Sequence, residues 1–599
     1  MAFADFAKTP LFWSILLLFG GVFNYQVPDL GETYVSRNLG AWAIIYLSLI
    51  FLWWRPFKKG ELVWSPLWLG GLIVPVIGSF LVLATNILGG FDHLHVGHYF
   101  LPMMLLTFGL FVLGMLQHRF NLLNLDLITI TVFLAFLPQY GVYLATENPL
   151  ITSLLPTSSI PLPVGFTKAS AGFGQYNLLG SFIATLFIMA VVALVLQPLK
   201  PVRRLVLVTI ILMITFDLPF VRSKTALLGI LLGMLSIAAH VFFSGIDRSI
   251  RRRLTLSSAV IIATYLSVIA LAHLLGIEGE LASRSIEANQ SSFATRTTMW
   301  IIGLWGFWEK PLFGHGLGSF LSIYMDYFES YGMASGFTYS ALASIPHNLI
   351  IHILSEAGLL GLLLVMGPFI WLGLQIFIQN KNRWLLLGLL LPILLHSQVE
   401  YPYIASGSHY WLFGLLLVVS QDGSLDKPSV TRRIIFASRR LLRSAYSGLV
   451  AFALIGIFVT VSLTIDVRRS ALAFVRGGAL PLEQFIENRA NDPDLWHPIL
   501  GKRLRAIVNL QLIRKIFAEK RYELLRPVAL PYFESHVLED YPTLPVWKTA
   551  FEIYAVLEED DKMLAIVHKI ALYLPDEAKE FSAQYETYRR LKATRLQRQ

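Results

Sequence analysis

His347 and Asn348 stand directly before an apolar run in SIPHNLIIHILSEAGLLG, residues 344–361, and His352 and Glu356 follow inside it. Imidazole, carboxamide and carboxylate groups are costly beside hydrocarbon, so a membrane helix that carries all of them has a use for them. Ser344 can cap a helix N-terminus and Pro346 is tolerated within a first turn, which puts His347 in that turn, at the positive end of the helix dipole. The dipole disfavours the cationic ring and leaves the imidazole able to accept a proton. Two roles fit His347: a general base beside an anion site, or a histidine that caps the helix. His352 and Glu356 are four residues apart on one helix face and can meet. They either hydrogen-bond and orient each other or ligate a metal. No HExxH pattern or third ligand accompanies them, which favours packing and orientation.

Cations form the second set. Arg222 and Lys224 lie in LPFVRSKTALLG, a very short turn between two apolar runs, and Arg284 and Arg296 lie in the long segment that follows residue 276. Singly, each reads as a solvated loop residue or a headgroup contact. As a set at one membrane level they suit a phosphate or pyrophosphate, because the guanidinium fork matches its oxygens bidentately. Further polar groups end apolar runs on the same side: His396, Glu400 and Tyr401 in HSQVEYPY, and Gln175 and Asn177 in GFGQYNLLGSF. His93, His95 and His98 in FDHLHVGHYF offer a metal site or, more in keeping with their place between two runs, interfacial packing. GHGLG at 314–318 resembles a nucleotide loop only superficially, since no strand precedes it, and no P-loop is present, so the chemistry is not driven by ATP.

The elements that must position these groups are membrane helices. Of 599 residues, 55% are hydrophobic and 14% charged, and the mean hydropathy is +0.62. That is a polytopic membrane protein. Apolar runs predict about thirteen spans, near 10–25, 40–54, 66–88, 100–117, 124–145, 176–198, 204–221, 225–244, 254–276, 347–378, 384–400, 406–420 and 445–466, at roughly 20 residues each. The first run has no cleavage site after it and reads as a span rather than a signal peptide. The net charge of +10 comes mostly from Lys and Arg in alternate short loops, an orientation signal that sets the N-terminus inside, and not a nucleic-acid surface. The absence of cysteine excludes disulfides, thiolate chemistry and Cys-ligated metal. Three outer segments are long: 146–175, 277–346 and everything after about 467. The chain thus divides into a transmembrane domain, 1–466, and an outer domain, 467–599, whose apolar residues recur at helical spacing between prolines. This tail is a small all-α, repeat-like domain of stacked helix pairs without a clean 34-residue period.

These motifs in this order resemble a known family. HN followed by a helix containing EAGLLG is similar to the signature of the O-antigen ligase/polymerase superfamily, the Wzy-C type membrane glycosyltransferases. FGQYN before one span and HSQVEYP after a later one resemble the PglL/PilO-type O-oligosaccharyltransferases of Gram-negative bacteria, and TRTTMW…KPLFGHGLGSF is similar to the stretch before their signature histidine. The resemblance covers roughly 165–420. It implies an inner-membrane enzyme that works at the periplasmic face, where its C-terminal domain also lies. The donor would be an undecaprenyl-pyrophosphate-linked oligosaccharide and the acceptor a Ser or Thr hydroxyl of a protein such as a pilin, with no cofactor, metal or nucleic acid. Carried onto this chain, His347 is the base and Arg222, Lys224, Arg284 and Arg296 bind the pyrophosphate. Gln175, Asn177, Asn348 and Tyr401 position substrate, with His352, Glu356, His396 and Glu400 behind them.

Three alternatives share part of this evidence. A lipid A-core acceptor would make the protein an O-antigen ligase, and a glycan acceptor a polymerase. A transporter of lipid-linked sugar would carry polar residues through the bilayer midplane and inverted repeats. Here the polar residues gather at the outer mouths, which favours an enzyme.

Overall fold

The computed structural model describes residues 3–22, 35–64, 66–88, 101–118, 124–154, 176–221, 223–243, 248–277, 286–328, 345–380, 382–399, 406–419, 432–435, 439–477, 482–483, 486, 501–538 and 544–598. The architecture is all-α and polytopic. In chain order the main helices are α1 (Pro10–Ile15), which continues as a π-helical stretch to Val22, α2 (Val35–Lys59), α3 (Pro66–Leu88), α4 (Leu101–Leu116), α5 (Leu125–Glu147), α6 (Tyr176–Leu196) and α7 (Pro201–Asp217). Next come α8 (Lys224–Phe243), α9 (Arg248–Leu274), α10 (Ile286–Glu309), α11 (Phe320–Tyr327), α12 (Leu349–Gly361), α13 (Gly367–Gln379), α14 (Arg383–His396), α15 (Gly407–Val419) and α16 (Arg439–Gly477). The C-terminal helices are α17 (Gly501–Ala518), α18 (Leu544–Leu557), α19 (Asp560–Tyr573) and α20 (Pro575–Arg598). One two-stranded antiparallel ribbon, β1 (Glu61–Trp64) with β2 (Arg432–Ile435), sets Glu61 opposite Ile435 and Trp64 opposite Arg432.

Each of the thirteen predicted spans falls on a helix, but they are not thirteen equal crossings. Among the described residues eight helical stretches are long and apolar enough to cross a membrane, and four more, Pro10–Gly21, Leu101–Leu116, Arg383–His396 and Gly407–Val419, are apolar but shorter. The run expected at 204–221 is the 17-residue α7, with Arg203 and Arg204 in its first turn. A run of apolar letters fixes hydrophobicity, while helix length depends on where caps, prolines and neighbours end the helix.

α6 is apolar all round and buried all round, the pattern of a helix at the centre of a bundle. Small residues let its neighbours come close. A Cβ on Gly180 would meet Ser223, and one on Gly233 would meet Ile188, so α6 and α8 run parallel. Gly229 and Gly233 of α8 face Pro392 and Gly388, so α14 runs against both. The start of α6, the start of α8 and the end of α14 therefore share one end of the bundle.

The segment 277–346, expected as an outer loop, contains α10 and α11. Gly303 of α10 packs on Ile351 and Pro346, and Leu312 beyond its end packs on Gly358. α10 thus runs parallel to α12 and down its side. The C-terminal helices share an apolar cluster, built on Trp547, Phe533 and Ile570, with Met299 and Ile302 of α10 and Phe320, Tyr324 and Phe328 of α11. Tyr573 donates from its hydroxyl to the Met325 carbonyl at 2.9 Å. α16 passes residue 466 without a break.

Candidate active site

α12 begins four residues later than a Ser344 cap would start it, and that changes the position of His347. The N-cap is Asn348, not Ser344, which lies outside the described residues. Asn348 Oδ1 accepts from the backbone N–H groups of Ile350 and Ile351, each at 3.0 Å. A carboxamide at this position satisfies two of the donors that a helix start leaves open, and the short side chain of Asn suits it better than a serine followed by proline. His347 is therefore outside the first turn, just before the cap, with φ +50°. It does not lie within the first turn of the helix, where a Ser344 cap would have put it. Left-handed backbone is uncommon outside glycine, although His, like Asn and Asp, is enriched there. Such a residue persists where its surroundings over-determine it, as at functional sites.

What determines it is the end of α14. Asn348 donates from Nδ2 to the Gln398 carbonyl at 3.1 Å, and the Leu349 N–H donates to the Ser397 carbonyl at 3.1 Å. The HN and HSQ motifs, fifty residues apart, thus meet through two hydrogen bonds. Behind them lies a buried polar chain. Ser181 Oγ is 2.6 Å from His396 Nδ1 and 2.9 Å from His409 Nε2, and His409 Nδ1 is 2.9 Å from Ser406 Oγ. Ser181, His396 and His409 are all at most 1% exposed. Buried polar groups are tolerated when they satisfy one another, and then they specify one arrangement of the helices that carry them. Here they join α6, α14 and α15 directly beneath the turn that holds Asn348.

His352 and Glu356 do come together: Nε2 and Oε1 are 3.0 Å apart, both side chains nearly fully buried. Glu356 faces the 314–320 loop, accepting from Gly318 N at 2.8 Å through Oε2 and from Phe320 N at 3.0 Å through Oε1. Its carboxylate caps α11 from another helix, where a negative charge is favourable. Both carboxylate oxygens thus hold the start of α11 and the loop before it. GHGLG, dismissed as an empty resemblance to a nucleotide loop, is this packing partner. His315 N donates to the Ser355 carbonyl at 3.0 Å and Gly316 N to the Glu356 carbonyl at 2.8 Å, while Leu359 N donates back to the Pro311 carbonyl at 2.8 Å. α12 breaks at Gly358, φ +65° and ψ −166°, where a Cβ would lie 2.4 Å from the Leu312 oxygen. Only glycine fits a backbone of that shape against another backbone.

Arg296 is partly buried on α10. It lies seven residues before Gly303, two turns along the same face and so about 10 Å further on. Gly303 packs on Pro346 and Ile351, so Arg296 lies about two turns beyond that contact with the start of α12. Lys224 is exposed at the first residue of α8, next to Ser223, which packs on Gly180. Asn177 is partly buried one turn above Ser181 on α6. Gln175, Arg222, Arg284, Glu400, Tyr401 and the histidines at 93, 95 and 98 lie outside the described residues. The turn leading to Arg222 is anchored by Asp217, fully buried, which accepts from Tyr140 Oη at 3.0 Å and Asn148 Nδ2 at 2.9 Å.

Sequence reasoning missed Ser181, His409 and Ser406. The first gave a faint signal, being four residues after Asn177 and so on the same helix face. The other two gave none, because a histidine inside HYWLFGLLLVVS looks like any other buried ring until its partners are known.

Residues 209–366, from α7 to the π-helical stretch after α12, match a family model described as O-antigen ligase of the Wzy-C type. The match spans Lys224, Arg296, His347 and Glu356, and it supports kinship with that superfamily of membrane glycosyltransferases. No curated protein matches the chain.

Proposed function

We propose that this protein transfers a preassembled glycan from an undecaprenyl-pyrophosphate carrier to the Ser or Thr hydroxyl of an acceptor protein, a pilin or a protein like one, at the periplasmic face of the inner membrane. The observation that carries the reading is the turn at His347, tied through Asn348 to the Gln398 carbonyl, inside the segment matched to the O-antigen ligase family. His347 takes the acceptor hydroxyl proton as the oxygen attacks the anomeric carbon. The bond from that carbon to the pyrophosphate oxygen breaks, and the carrier leaves as its pyrophosphate. Attack opposite the leaving group inverts the anomeric centre. Arg296 and Lys224, with Arg222 and Arg284, neutralise the charge that develops on the leaving group, which preorganised cations do most effectively in a site shielded from water. Asn177 and Asn348, with Gln175 and Tyr401, orient the substrates, while His396 and Glu400 support them.

Co-expression with a lipid-linked glycan pathway and a candidate pilin, followed by intact-protein mass spectrometry, tests this. A glycan-sized mass on the pilin that disappears with His347→Ala supports it. The second reading, favoured by the description of the matched family, is transfer to lipid A-core. Glycan on the lipopolysaccharide core with none on the pilin would decide for that acceptor.

A further inference from the structure

The lower end of α10 and the loop after it carry large, exposed apolar side chains. Trp305, Trp308, Leu312 and Phe313 are 41%, 74%, 59% and 54% exposed. In a water-filled outer loop, such a cluster is expensive. It is continuous with another exposed apolar surface: Leu312 hydrogen-bonds through its carbonyl to Leu360 N at 3.1 Å, and Leu359 and Leu363 of the 349–379 span are themselves exposed.

The depth of this tip follows from a neighbouring helix, α3. Leu317 clusters with Val82 and Ala357. Val82 is six residues from the end of a 23-residue helix. That is about 9 Å, or roughly 7 Å below the boundary once about 2 Å of overhang is removed. Trp308, one turn above Leu312, comes level with the boundary itself, where tryptophan is enriched. Irregular backbone enters lipid only when its polar groups are satisfied by protein. The 310–320 loop meets that demand: the N–H groups of His315, Gly316, Gly318 and Phe320 all donate to α12. Lys310 and Glu309 sit at the boundary, where long side chains reach the headgroups.

We infer that the tip formed by the end of α10 and residues 310–313 is an interfacial lipid anchor, with Leu312 and Phe313 in the hydrocarbon and Trp305 and Trp308 at the headgroup boundary. Its occupant is the bilayer itself. The anchor fixes the lower end of α10 and with it the height of Arg296 above the membrane.

The chain has no cysteine, so single nitroxide labels can be placed in the full-length protein in phospholipid vesicles. Labels at Phe313→Cys, Leu312→Cys and Trp308→Cys are compared with Leu363→Cys on the span and Lys562→Cys on the C-terminal helices. The reading is the ratio of spin relaxation by oxygen, which concentrates in hydrocarbon, to that by a water-soluble nickel chelate. The anchor requires a ratio at 312 and 313 several-fold above that at 562 and close to that at 363, with 308 between. Ratios at 312 and 313 equal to that at 562 would overturn it, the tip then being in water. Poor access to both reagents at both positions would also overturn it, because another protein surface would then cover the tip. Two tip positions keep the test valid if one variant fails to fold, and no outcome depends on transferase activity.

Discussion

Asn348 reaches across from the start of α12 to the Gln398 carbonyl beyond α14, 3.1 Å away, while its own carbonyl oxygen caps α12. One side chain thus ends a loop, starts a helix and joins two helices, and His347 is the residue it holds still. His347, just before this double attachment, has a left-handed backbone.

If His347 is the base, His347→Ala lowers the transfer rate by about 10²–10⁴-fold, the usual worth of general-base catalysis, with insertion and thermal transition unchanged. Asn348→Asp retains the cap but loses the donor to Gln398, and is expected to slow transfer without much loss of stability. Asn348→Ala loses both and also about 1 kcal/mol of stability. Transfer rates beside thermal melts separate the three. Wild-type transfer by His347→Ala would end the proposal.

Arg296→Ala is expected to cost roughly 1.5–3 kcal/mol of donor interaction, or about 10- to 100-fold in kcat/KM for the lipid-linked donor, because a charge-assisted contact is lost. Arg296→Lys keeps the charge, loses the fork and recovers only part. The acceptor KM should not move in either variant.

Gly358→Ala forces a Cβ to within 2.4 Å of the Leu312 oxygen at φ +65°. Gly314→Ala does the same at 2.4 Å from the Glu356 backbone, at φ +68°. Each is expected to lower stability by about 1–3 kcal/mol or more, the cost of strained backbone that nothing relieves. Gly141, with nothing within 4 Å of an added Cβ, is the control, and Gly141→Ala is expected to be neutral or slightly stabilising. Thermal unfolding in detergent measures all three.

Ser181→Ala removes the hydroxyl shared by His396 and His409 and leaves buried ring nitrogens short of a partner, a loss of about 1–3 kcal/mol. Because the same network supports the turn under Asn348, transfer slows as well, by less than in His347→Ala. A variant with unchanged melting and unchanged rate would show that the network has no influence on the corner.

Reporter fusions at residue 320 and at the C-terminus are expected to read periplasmic, and one at residue 250 cytoplasmic. A cytoplasmic C-terminus would separate the C-terminal helices from any part in handling the acceptor.

Hydropathy alone located the eight helical stretches long enough to cross a membrane and the four shorter apolar ones among the described residues, because the demand for a long nonpolar run is local and additive along the chain. It also singled out His347, Asn348, His396 and Arg296, since polar groups at the ends of such runs are conspicuous. The tertiary structure decided what was not local. A proline after Ser344 looked compatible with a cap, but the cap went to Asn348, because Gln398 from another helix was there to take its second hydrogen bond. The glycines of GHGLG are explained only by the fold: a Cβ on Gly314 would lie 2.4 Å from the α12 backbone, and Gly316 and Gly318 have positive φ. His352 and Glu356 were legible as a pair from their spacing, whereas their role in capping α11 depends on N–H groups 36 and 38 residues away. Ser181 finds its partners His396 and His409 at 215 and 228 residues' distance in the chain. Contacts of that range carry no periodic trace in a sequence, because their geometry is set by how whole helices pack.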